Sequence, residues 1–130
     1  MKGTIQKAGG YDYYWFTSNT SFINPNSYWE HVIAVSNDGV NQDVDLFVSV
    51  IDGRYPTAED YDFKSDFLGP DDVIIRSNDS FWQRKGYFRQ FGVLIMVGVR
   101  GNVDRANYTL MMTGPQRYEV NYTTLSSSWI

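Results

Sequence analysis

The chain has 130 residues, a formal net charge of −4, no cysteine and 42% hydrophobic residues, with ten Tyr, eight Phe and four Trp. That length fits one domain with a real core, and the apolar fraction excludes a disordered chain. The acidic balance excludes a phosphate-backbone binder, and the lack of cysteine excludes disulfides, thiolate zinc sites, iron–sulfur clusters and cysteine nucleophiles.

Turn chemistry and period-2 alternation set the expected elements in chain order. Met1-Lys2-Gly3-Thr4 has no apolar signal-peptide core, so a mature or excised piece is expected. A short strand is expected at 4–7, then a Gly9-Gly10 lead into an aromatic strand at 11–17. Tyr11, Tyr13 and Trp15 share one face of that strand and Tyr14 and Phe16 the other. One set is expected in the core. The first set, Tyr11, Tyr13 and Trp15, is the candidate platform for a glycan or a neighbouring chain. Asn24-Pro25-Asn26 is a turn before a strand at 29–36, and Asn37-Asp38-Gly39 a turn before a strand at 44–51.

Asp52-Gly53 opens a long loop, with a single helical turn expected within 58–63. Gly69-Pro70-Asp71-Asp72 leads to a strand at 73–76, and further strands are expected at 91–100, 108–113 and 118–123. Short strands at this spacing predict an all-β, antiparallel, jelly-roll-like sandwich of about eight strands. Val44, Leu46, Val48, Val93, Ile95, Val97 and Leu110 are the expected core. No window approaches the ~20 apolar residues of a membrane span, so no membrane insertion is expected.

The 91–100 strand is apolar on both faces: Val93, Ile95, Val97 and Val99 on one, Leu94, Met96 and Gly98 on the other. A sandwich strand with one wet face alternates with polar residues. The second face is therefore expected to be covered, either by the domain's own 54–72 loop or by a partner. Residues 108–113 repeat the pattern, with Tyr108, Leu110 and Met112 opposite Met111.

Chemistry-bearing residues are few. His31 is the one histidine, in Tyr28-Trp29-Glu30-His31-Val32, and no Gly-x-Ser-x-Gly elbow accompanies it. No enzyme is expected and no cofactor is required. Calcium is the ion that suits Asp43, Asp45, Asp71 and Asp72, because it takes carboxylate and carbonyl oxygens in irregular loops. The plainer expectation is that Asp43 and Asp45 bond amides at the mouth of their strand. Asn19, Asn78, Asn107 and Asn121 each begin an N-x-[ST] sequon, the acceptor pattern of a glycosylated surface or secreted protein.

Asp43-Val44-Asp45-Leu46-Phe47-Val48, followed by Pro56-Thr57, Tyr61-Asp62 and Ser65, resembles the signature of the pre-peptidase C-terminal family. Gly9–Phe16 resembles that family's opening aromatic strand, 72–75 the strand after its core motif, 92–101 its Tyr-Ile-Gly-Val strand with Leu94-Ile95-Met96-Val97 in place of the usual aromatics, and Tyr108-Thr109-Leu110 its closing strand. The resemblance implies a small extracellular β-sandwich appended to a larger secreted or surface protein. Some members, including collagen-binding modules, bind calcium.

The resemblance implies a domain at 1–115. Residues 116–130 lie outside it as a C-terminal strand or tail that closes a sheet edge or contacts a neighbour. Trp129 and Ile130 are its expected contact residues, since burying two such side chains is worth ~1.5–3 kcal/mol each. The functional expectation is a non-enzymatic extracellular structural or adhesion module, part of a larger cell-surface protein or a filament subunit. Its partners are a protein or further copies of itself. The alternative is a glycan- or matrix-protein-binding module, calcium-dependent in one version.

Overall fold

A computed structural model describes residues 1–18, 28–39, 43–50, 53–66, 71–80 and 93–125. Nine strands lie among them: β1 (Lys2–Ile5), β2 (Tyr11–Ser18), β3 (Glu30–Asn37), β4 (Val44–Val50), β5 (Phe63–Ser65), β6 (Asp71–Arg76), β7 (Val93–Gly101), β8 (Ala106–Thr113) and β9 (Asn121–Leu125). They form two antiparallel sheets, one ordered β1-β8-β3-β6 and the other β5-β4-β7-β2-β9. β1 pairs with β8, β2 with β7, β3 with β6 and β4 with β5, so the first eight strands are a long hairpin rolled on itself. That is the jelly-roll order. β9 is added outside it, on the free edge of β2.

The core lies between the sheets. Val93, Ile95, Val97 and Val99 from β7 meet Val44, Leu46, Val48 and Val50 from β4, Ile33 and Val35 from β3, and Leu110 from β8. All seven residues expected in the core are buried. β-branched side chains dominate because they pack well on a pleated surface. A polar network crosses this core from β2 to β8 and β9. The Tyr108 hydroxyl donates to Asp12, Tyr14 and Tyr108 share a hydrogen bond of 2.6 Å, and Thr124 Oγ1 donates to Asp12 Oδ1 at 2.8 Å. Burial pushes the Asp12 carboxyl above the usual carboxylate range, and the hydrogen bonds from Tyr108 and Thr124 partly offset this.

The other face of β7 is covered by the domain itself. The segment 53–62 lies over it and buries Tyr11, Tyr13 and Phe47 as a second cluster. Tyr13 donates its hydroxyl to the Pro56 carbonyl at 2.9 Å, and the Ala58 amide donates to the Tyr11 hydroxyl at 2.9 Å. The rings of Tyr13 and Tyr55 meet edge-on, and Tyr61 packs on Phe47. Gly98 permits the close approach, since a Cβ there would stand 2.9 Å from the Tyr13 ring and 3.0 Å from the Pro56 oxygen. Asp62 pins the far end. It accepts from the Val50 amide at 2.8 Å and from Arg54 Nη2 at 2.7 Å. The Pro56-Thr57 and Tyr61-Asp62 pairs are therefore the parts that seat this cover.

The structure moves several expected bounds, β6 and β8 each beginning two residues early, and adds one strand. The first strand is Lys2–Ile5 rather than 4–7, because Lys7–Gly10 closes a turn with Gly9 at φ 87°. β5 was not anticipated: three residues, Phe63–Ser65, leave too short a pattern to read. The last strand is Asn121–Leu125, since Tyr118 and Val120 turn into the core and pair with no strand. The helical turn expected within 58–63 does not form; residues 57–60 make a tight turn instead, where Thr57 and Asp60 bridge each other.

Candidate functional site

The expected contact residues Tyr11 and Tyr13 are only 3% and 0% exposed, because the 53–62 cover occupies their face. They are packing residues. Trp15 is half-buried at the edge of the same cluster. Trp129, Ile130 and Asn19 lie outside the described residues. Asn78, Asn107 and Asn121 are all exposed, and Asn107 accepts from Thr4 Oγ1 at 2.6 Å.

Asp43 and Asp45 do come together at the mouth of β4. The Asn102 side-chain amide bonds both, at 3.1 and 2.7 Å, and its backbone amide donates to the Asp43 carbonyl at 2.9 Å. Burial raises the Asp45 carboxyl above its ordinary value, opposed by that amide. Asp71 and Asp72 belong to the other sheet. Asp71 is buried and accepts from Ser65 Oγ at 2.8 Å, whereas Asp72 is exposed. Among the described residues no three His, Cys, Asp or Glu side chains are grouped to hold a metal ion. Nothing in the sequence singled out Asn102, a turn residue far from both carboxylates along the chain.

His31 is sealed, with 0% exposure, against Phe16, Trp29 and Tyr118. Its Nε2 lies 3.0 Å from Ser18 Oγ and its Nδ1 2.7 Å from the Tyr118 hydroxyl. A neutral imidazole donates from one nitrogen and accepts at the other, so the two hydroxyls take opposite roles. Desolvation lowers the His31 pKa to about 4 and pushes Tyr118 up to about 12, so the knot is uncharged at neutral pH. Gly114 leaves room for it. A Cβ there would stand 2.0 Å from the Tyr118 hydroxyl, 2.8 Å from the Glu30 carbonyl oxygen and 3.1 Å from His31 Nδ1. The Ser18–His31–Tyr118 contacts brace the end of β2 and the start of β3 against the segment after β8.

The brace borders a cleft of about 590 Å3, lined by Thr17, Gln116, Arg117, Glu119, Val120 and Asn121. Thr17 follows from β2, next to the braced Ser18. The opposite wall is the extended segment 117–121. There Tyr118 and Val120 point to the core, while Arg117, Glu119 and Asn121 alternate outward and are exposed. Gln116 ties the walls, its Nε2 donating to the Thr17 carbonyl at 2.9 Å. Among the described residues, the Thr17, Arg117, Glu119 and Asn121 side chains make no hydrogen bond or ion pair. Alternation puts Tyr118, Val120 and Tyr122 on one face, and the structure turns Tyr118 and Val120 inward while Tyr122 stays exposed. The outward set was the complement of that pattern, but nothing marked it as facing Thr17.

No family model, no curated protein and no solved structure matches this chain.

Proposed function

We propose that this chain is a non-catalytic structural or adhesion module on the outside of the cell, of the kind implied by the resemblance to pre-peptidase C-terminal domains. The observation that carries this is the enclosure of its chemistry. His31 is sealed in a hydroxyl knot, and the aromatic face of β2 lies beneath the domain's own loop. Exposed sequon asparagines at 78, 107 and 121 support an extracellular setting. The outer face of the four-stranded sheet, where Met111 is 59% exposed beside Ala34, offers contact area for an adhesion or assembly module. Labelling intact source cells with a membrane-impermeant reagent tests the reading. The protein is expected among the labelled species with hexose-bearing asparagine, and recovery only from the interior without glycan would sink it.

A second reading, a glycan-binding module, is favoured by the polar cleft beside Trp15.

A further inference from the structure

We propose that the cleft between Thr17 and the 117–121 segment binds a neutral saccharide. The proposal rests on the glycan-binding reading and moves its site from the face of Tyr11 and Tyr13 to the end of β2.

The chemistry of the walls selects the ligand. Arg117 only donates, Glu119 only accepts, and the Thr17 hydroxyl and Asn121 amide do both. Sugar hydroxyls also donate and accept, so a ring lying between these walls satisfies both kinds. The guanidinium and the carboxylate cancel in charge, which disfavours phosphates and other anions. The polar walls disfavour lipids and apolar peptides. Alternation spaces Arg117, Glu119 and Asn121 about 6.5–7 Å apart, so they meet well-separated hydroxyls of a ligand rather than neighbouring ones. Trp15 pairs with Asn121 in register and stands on the same face. Its half-buried ring packs against the Tyr11, Tyr13 and Phe47 cluster, beside the cleft wall at Asn121. The His31 brace holds Ser18 on one wall and Tyr118 on the other. The walls are thus fixed before binding, which lowers the ordering cost.

Two sources supply this chemistry. Asn121 opens a sequon on the cleft wall, so the saccharide is either the chain's own Asn121-linked glycan or one presented by another molecule.

The test uses 15N-labelled full-length protein made in bacteria, which carries no N-glycan, titrated separately with N,N′-diacetylchitobiose and cellobiose. Amide shifts are expected on Trp15, Thr17 and residues 116–121. Arg117→Ala and Glu119→Ala should each weaken binding about tenfold, the loss of one charge-assisted hydrogen bond, with an unchanged melting midpoint because both side chains are exposed. Absence of shifts with both sugars, shifts elsewhere, or full affinity in both variants would overturn the proposal. The same titration on protein from a glycosylating host assigns the source. Loss of binding with Asn121 occupied makes the chain's own glycan the occupant, and persistent binding makes it an external saccharide. An empty cleft removes this proposal alone, since the surface-module reading stands or falls on cell labelling.

Discussion

Acidification should unfasten the His31 knot, and the size of the effect follows from its burial. The folded pKa is about 4 against an ordinary 6.5, so the unfolded chain takes up a proton that the folded chain refuses. Between those values the unfolded state binds more protons, and stability falls as pH falls. At ~1.36 kcal/mol per pH unit, the loss between pH 6.5 and 4 is about 3 kcal/mol, a large share of a typical domain's ~5–15 kcal/mol. Asp12 and Asp45 act with the opposite sign. Their carboxyls are raised by burial, so the folded state takes their protons first and their contribution to stability grows as pH falls towards 3.8. The comparison must therefore remove His31 alone. Urea unfolding of the parent and of His31→Gln at pH 7, 5.5 and 4 isolates it. His31→Gln is expected to be less stable at pH 7, because Ser18 and Tyr118 lose the ring between them. Its stability should then fall less steeply with acid, by about 3 kcal/mol over the whole window. Parallel acid losses in the two proteins would refute the sealed, neutral histidine.

Gly98→Val should cost ~1–3 kcal/mol in urea unfolding, because its Cβ enters the space of the Tyr13 ring and the Pro56 carbonyl. Tyrosine fluorescence should show the 53–62 cover loosened in the same variant. Leu46→Ala, at a fully buried position between the sheets, should cost ~2–5 kcal/mol by thermal or urea unfolding. Asn102→Ala removes the amide shared by Asp43 and Asp45, and a loss of ~1–3 kcal/mol at pH 7 that shrinks near pH 4 is expected. Truncation after Val120 strips β9 from β2 and leaves Asp12 without Thr124. Lower stability and concentration-dependent association through the bared edge should appear in size-exclusion chromatography.

The domain's architecture explains why one strand of ordinary length carries so much. β2 bears Asp12, Tyr14 and Phe16 inward, Tyr11 and Tyr13 against the cover, and Thr17 and Ser18 towards the cleft and its brace. Its neighbours β7 and β9 hold both its edges. Perturbation of β2 is thus transmitted to the core, the cover and the cleft together, through shared backbone pairing.

Local signals determined the sandwich. Strand after strand alternates apolar residues between Gly, Pro, Asn and Asp turns, and alternation fixes which side chains share a face before any partner is known. The doubly apolar pattern of 93–99 likewise announced that β7 needs two covers. That both sets of β2 aromatics would be buried was not legible, because alternation assigns side chains to faces without showing what covers each face. Only the docking of 53–62 decided it, through the Tyr13–Pro56 and Tyr11–Ala58 hydrogen bonds. The pairing of Ser18, His31 and Tyr118, the sharing of Asn102 by two carboxylates, and the facing of Thr17 with Arg117 and Glu119 are also tertiary facts. Each joins residues distant along the chain, and a sequence records what a side chain offers, while the fold alone sets which distant side chain it meets.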